Sequence, residues 1–344
     1  MDLNTITRKV ASAAALCLTL LAGMAGPVAA QDASPSAGFY EALKGKRIGF
    51  VPIAMGFNET QAWRTAMERQ AAALGYEIIV RDPNWSIEAG IQAINSLIEE
   101  KPDILIIENI DNRSYNRLVQ KSIAAGILTV QTQQRSEVVS DAYMGPDWNE
   151  MGRNAVDGIV QLCGKGSGKN GKVAIIQGAL TAPASLLQMQ GIEEALKAHP
   201  EITIVSNQAA DWDATKAYQI ASTVLKQEPD ICGIAGFWDV ADAGIASAVN
   251  EAGLQGKVAV ITSGSGARES ACDKIAKGDF SFYTSYNTAG QGRDLNAIIR
   301  TLLQTKPAPG SKPFDLVSPL IRITKDTMTP SSCWTLEELA QIGG

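Results

Sequence analysis

Several short stretches of this chain carry groups able to hold a polar small molecule. They are Phe57-Asn58-Glu59, Glu108-Asn109, the glutamine-rich 131–134 with Gln131 and Gln133, Asp211-Trp212 and Phe237-Trp238-Asp239. The segment 181–190, which includes Gln188, and the serines around Ser265 stand in comparable places. Carboxylates accept hydrogen bonds, amides donate and accept, and indole faces cover apolar C–H surface. Each stretch follows or adjoins an apolar run of strand length, and open α/β sheets hold ligands outside the carboxyl ends of their strands. Glu108 ends such a run with no structural duty assigned to it, whereas Asp111 reads as the cap of the next helix. Trp212 and Trp238 read as pocket rings, Trp63 as core, and Trp85 as packing.

Catalytic chemistry finds no comparable footing. The chain has one histidine, His199, which precedes Pro200 at a helix end and reads as a surface cap. No acid–base pair, nucleophile elbow or metal-ligand spacing stands out, so no enzyme and no cofactor are expected. Gly264-Ser265-Gly266 follows a strand but lacks the Lys-Ser/Thr of a phosphate loop and reads as a tight turn.

The elements that must position these groups begin at 46–76. Residues 47–53 form a continuous apolar run, as suits a parallel strand buried on both faces. Gly56-Phe57-Asn58 follow, then Trp63, Ala66, Met67, Gln70, Ala71 and Leu74 at helical spacing. Asn58 or Thr60 is the expected N-cap and Gly75 the stop. The next strand, from Glu77, begins at once, completing a β-α-β unit.

An internal echo extends this unit. An offset of 127 residues carries Pro102-Asp103-Ile104 onto Pro229-Asp230-Ile231, Ile48 onto Ile175, Ile78 onto Val205, Trp85 onto Trp212 and Gly126 onto Gly253. The fold class expected is α/β, as two doubly wound parallel-sheet domains. The first has strands at 47–53, 77–81, 104–108 and 128–131, with helices at 58–74, 87–100 and 112–125. The second has strands at 172–177, 202–207, 232–236 and 258–262, with helices at 184–198, 213–227 and 240–252. Right-handed crossovers make each sheet parallel. Beyond the echo come a helix at 147–163, a strand at 280–285, a helix at 288–304 and a strand at 316–324.

Residues 1–30 read as an export signal: Arg8 and Lys9, an Ala/Leu-rich apolar segment, and Val28-Ala29-Ala30 before Gln31. Removing these 30 leaves 314 of the 344 residues, about two domains. A net charge of −6 and a pI near 5.1 argue against nucleic-acid binding, which needs a basic face. Cys163, Cys232, Cys272 and Cys333 remain in the mature chain, an even number compatible with disulfides in three alternative pairings. Cys333-Trp334 could pin the polar tail.

The order of Ile48-Gly49-Phe50-Val51, Leu74-Gly75-Tyr76, Pro102-Asp103-Ile104-Leu105, Ala125-Gly126-Ile127-Leu128 and Ala210-Asp211-Trp212-Asp213 resembles the type I, ribose-binding-like periplasmic binding proteins. Ile321 and Thr324-Lys325-Asp326 extend the likeness nearly to the end of the chain. The resemblance implies two domains joined by a three-stranded hinge, 31–146 with 287–313 and 147–286 with 314–344, crossing near 145–148, 286–287 and 312–315. It places Trp148 and Tyr286 at the hinge and all four cysteines in the second domain. It implies a periplasmic, monomeric receptor of a sugar ABC importer, delivering a neutral sugar or polyol to a permease in the inner membrane. Alternatives are a cationic ligand such as an amino sugar, with Glu59 and Glu108 opposite it, or a sensor of the same fold. Where the ribose-type pattern has an Asp-Arg pair this chain has about Gln131 and Thr132. Gln188 replaces its arginine, Trp238 its asparagine, and Ser265 or Gly266 its later aspartate. Ribose itself is therefore not expected, and a cleft lacking arginine suits neither carboxylates nor phosphates.

Overall fold

A computed structural model describes residues 35–341. The export signal read at 1–30 lies outside the described residues. A first helix, α1 (Pro35–Leu43), leads into two sheets of six strands. The first contains β1 (Arg47–Val51), β2 (Glu77–Val80), β3 (Ile104–Glu108), β4 (Leu128–Thr132), β5 (Ala142–Gly145) and β11 (Phe314–Val317), in the order β11-β5-β4-β3-β1-β2 and parallel throughout. Helices α2 (Asn58–Leu74), α3 (Ile87–Glu100), α4 (Asn116–Ala124) and α10 (Thr288–Thr305) belong to this lobe. The second contains β6 (Lys172–Gln177), β7 (Thr203–Ala209), β8 (Gly233–Gly236), β9 (Ala259–Gly264), β10 (Phe282–Ser285) and β12 (Ile321–Ile323), in the order β12-β10-β9-β8-β6-β7. Only β12 runs antiparallel. Its helices are α5 (Trp148–Cys163), α6 (Pro183–Leu196), α7 (Ala214–Gln227), α8 (Asp239–Glu251) and α9 (Cys272–Lys277).

Burial explains the two sheets. Every residue of β3 and β4 is buried, as is β1 after its first, so these strands need apolar cover on both faces. The helices supply it: Ile94, Leu97 and Ile98 of α3 pack with Leu105 and Ile107. Ala217, Ala221, Val224 and Leu225 of α7 do the same beside Ala174 and Ile176. The echo is close in three dimensions. Helix α3 starts and ends 127 residues before α7, and each is capped by the side chain just ahead of it, Ser86 in one case and Asp213 in the other.

Local details depart from expectation. Neither Asn58 nor Thr60 caps α2: Phe57 is the extended residue before it, and the Thr60 hydroxyl donates to the Phe57 carbonyl instead. Helix α4 begins at Asn116, not 112, because Asp111 accepts from the Arg113 and Ser114 amides and holds a turn before the helix. The single strand expected over 316–324 is two strands in different sheets, broken by Pro319. The third crossing is therefore at 318–320, beyond the expected 312–315, because Phe314 to Val317 pair with β5.

Two disulfides form, Cys163–Cys232 and Cys272–Cys333. The second holds the tail against the β9 end, where the Arg268 amide donates to the Trp334 carbonyl at 2.8 Å. From there Trp334, Leu336 and Leu339 pack with Ala62 of α2 and Ala289 of α10, carrying α11 (Leu336–Gln341) onto the first lobe. The tail thus touches both lobes.

Candidate functional site

The strand ends of the two sheets face one another across a cleft, and aromatic rings fill its middle. Two of the rings come from duplicated turns. Asn84 and Trp85 have φ of 47° and 67°; Asp211 and Trp212, 127 residues on, have 53° and 64°. Left-handed backbone is unfavourable by roughly 1 kcal/mol or more for residues with a Cβ. Here it is adopted twice in succession in each lobe, between the second strand and the next helix. Gly178, just past β6, provides the bed for Trp212: a Cβ there would stand 2.2 Å from the indole. Phe57 lies 5.0 Å from Trp238 and 5.3 Å from Trp85, edge to face, and Trp212 lies 6.2 Å from Trp238. Trp238 is where the rings of the two lobes meet.

Behind the rings is a polar wall. Tyr286 donates its hydroxyl to Glu59, and the Ile53 amide donates to Glu108 at 3.1 Å. Gln134 accepts from the Ala184 amide of the other lobe at 3.2 Å. Gln133, itself at φ 56°, is held at both ends. Its carbonyl accepts from Trp148 Nε1 at 2.8 Å and its side-chain oxygen from Gln291 Nε2 at 2.8 Å. Gln291 in turn accepts from Trp63 Nε1, which is how the core indole Trp63 supports the site from behind. Burial raises Glu59 to about 7, against the opposing hydrogen bond from Tyr286. Burial and the nearby Glu59 charge push Glu108 up as well. Both acids are thereby biased toward the neutral carboxyl, which can donate a hydrogen bond as well as accept one.

These groups line a narrow slot between the two sheets, largely filled by the rings themselves. Phe57, Glu59, Glu108, Gln133, Trp212, Trp238 and Tyr286 line it, as the sequence reading has them. Six other candidates are not brought to it. Asn109 and Gln131 are engaged with each other at 2.9 Å, and Gln131 also bonds Ser136, Val138 and Ser140, so both shape the loop after β4. Asp239 turns back into its own lobe, accepting from Ser270 and Tyr283 at 2.7 Å each, and burial raises it to about 6. Gln188 is buried in α6, whose backbone packs against Gly152 of α5. Ser265 is buried beside the tail, its carbonyl accepting from Trp334 Nε1. Asn58 is exposed on the first turn of α2.

Expected as packing, Trp85 does pack, edge to face against Phe57 at 5.3 Å, but it also borders the slot and is 38% exposed. The signal for it was present: the same offset that pairs it with Trp212 duplicates the ring-presenting turn. Ile53, Thr60 and Trp148 also line the space. Trp148 reaches it from the first turn of α5, edge to face with Tyr286 at 6.0 Å, at the sheet-to-sheet crossings.

Among the lining residues the only charged ones are Glu59 and Glu108. Known proteins agree with this architecture. Residues 48–307 match the family described as periplasmic binding protein domain. The chain is 34% identical over 121 residues to the D-allose-binding periplasmic protein of Escherichia coli strain K12, covering 35% of this chain and 38% of that one. It is 28% identical over 178 residues to a D-ribose/D-allose-binding protein of Pseudomonas aeruginosa, covering 50% and 54%. The chain thus spans less than two thirds of the length of these curated relatives, which are binding proteins and not enzymes. Among solved structures, an ABC transporter solute binding protein from Burkholderia graminis in complex with D-arabinose superposes with a TM-score of 0.75 at 20% identity, covering 85% of this chain and 98% of that one. The match over most of the chain, the paired sheets and the cleft between them lead to one conclusion: the chain belongs to the periplasmic binding protein family, in its type I, ribose-binding-like form.

Proposed function

We propose that the protein is the periplasmic receptor of an ABC importer and binds one small neutral sugar or polyol between its two lobes. The observation that carries this reading is the slot itself: rings from both lobes converge on a space walled by two carboxyls and two glutamines, without a basic side chain. Indole faces suit the C–H face of a sugar ring, and neutral carboxyls and amides suit its hydroxyls. The relatives named for allose and ribose, and the arabinose complex, support a sugar. They lend no support to an amine-bearing ligand. The lobes act as domains hinged at 146–147, 286–287 and 318–320, and the receptor works as a monomer that presents its closed form to an inner-membrane permease.

Isothermal titration of the purified mature protein against pentoses, hexoses and polyols tests this. One neutral compound should bind with 1:1 stoichiometry. Trp212→Ala should weaken it roughly thirtyfold, about 2 kcal/mol, by removing a stacking face. Equal affinity of Trp212→Ala and parent, or a ligand that is charged, would overturn the reading.

A further inference from the structure

We propose that the cleft has a second, outer subsite and that the natural ligand is a glycoside, a sugar carrying a second ring. This rests on the sugar-receptor reading above. Phe57, Trp85, Trp212 and Trp238 border two spaces: the slot, and a separate, solvent-open cavity of about 500 Å³ on their other side. The four rings form a collar between the two. Beyond the collar the walls are Ile110 from the first lobe and Ala179 and Val240 from the second. Beside Ile110 and Ala179 the lobes are joined by the Asn112 amide donating to the Thr181 carbonyl at 3.1 Å, so this flank of the vestibule is bounded by protein.

The chemistry of the vestibule differs from that of the slot. Its only charged side chains are Asp211 and Asp213, and both are engaged along α7. Asp211 pairs with Lys216 Nζ at 2.9 Å, and Asp213 accepts from the Lys216 amide at 2.8 Å. What remains is apolar. A sugar held wholly inside the slot would leave the outer ring faces and Val240 in water, where Trp85 is 38% and Val240 41% exposed. Large apolar groups gathered at one exposed place mark a binding surface. The occupant that fits is continuous with the sugar inside: a second ring, joined through the collar, that lies against apolar walls and asks for few hydrogen bonds.

The test compares six free sugars (D-ribose, D-arabinose, D-xylose, D-allose, D-galactose and D-glucose) with their 4-nitrophenyl β-glycosides, by calorimetry on the mature protein. For the sugar that binds, its glycoside should bind about tenfold tighter, the scale of one aromatic contact. Ile110→Asp and Val240→Asp should each abolish most of that gain. Both should leave the free sugar within about twofold of parent, which also reports that the variants fold. A glycoside that binds no better than its free sugar overturns the outer subsite alone. So does a gain that survives both variants. If no sugar binds in either form, the receptor reading falls, and the outer subsite with it.

Discussion

At the scale of single residues, the site is governed by desolvation. Glu59 sits in the slot beside Tyr286, and the loss of water outweighs the hydrogen bond that Tyr286 donates to it. Its carboxyl is therefore raised from 4.5 to about 7. Between those values the folded protein holds a proton that the unfolded chain has released. Stability then falls as pH rises through that window. Glu59→Gln cannot titrate and escapes the loss. Its melting temperature relative to the parent should rise between pH 4.5 and 8 by a few degrees, corresponding to about 1 kcal/mol once solvent access to this half-buried group is allowed for. Differential scanning calorimetry of both proteins across that range checks it. A difference that stays constant with pH would show that Glu59 titrates alike in the folded and unfolded chain.

At the scale of elements, the second lobe depends on one close helix crossing. Gly152 of α5 and Gly191 of α6 face the other helix so closely that a Cβ on either would stand 2.1 Å from a backbone carbonyl, of Gln188 or Asn149. A backbone atom cannot rotate aside as a side chain can. Gly152→Ala gains up to about 1 kcal/mol of helix propensity but must push the helices apart, an overpacking effect of about 1–3 kcal/mol or more. The clash wins, because Gly152 and Gly191 each add one and the first α6 turn carries Ala184 into the cleft. Chemical denaturation should show Gly152→Ala less stable by about 2 kcal/mol; a variant as stable as the parent would mean the helices are free to separate. Helix α6 is also where sequence reasoning reached its limit. Gln188 lies on the right helix near the cleft, yet its side chain faces the protein interior, and only the α5–α6 contact decides that.

At the scale of the whole molecule, the lobes meet across the cleft through Phe57 and Trp238, the Trp148 bond to Gln133, the Tyr286 bond to Glu59, the Gln134 bond to Ala184 and the Asn112 bond to Thr181. These contacts are few and lie at the cleft, while three chain crossings and the tail from Cys333 to α11 join the lobes elsewhere. Both disulfides join parts of the second-lobe chain and its tail, and neither bonds the first lobe covalently to the second. An arrangement of this kind can open by parting the cleft contacts alone. Small-angle scattering should give a larger radius of gyration without ligand than with it; an unchanged radius at saturation would mean a cleft that stays shut.

The amino-acid sequence by itself determined the two α/β units, most helix and strand positions and the strand-end loops that border the cleft. It could do so because hydrophobic period and chain order are local properties, and the 127-residue echo repeats them. Both glutamates and the pocket rings Phe57, Trp212 and Trp238 were legible for the same reason, since a strand end fixes where a residue sits. Direction was not legible. Asn109 and Gln131 satisfy each other, Asp239 turns inward to Tyr283, and Trp85 turns outward on a left-handed turn, through contacts made by residues distant in the chain. The tertiary structure also chose one of the three cysteine pairings and assigned β11 and β12 to different sheets. In each case the deciding partner is brought near by folding and leaves no trace in local spacing.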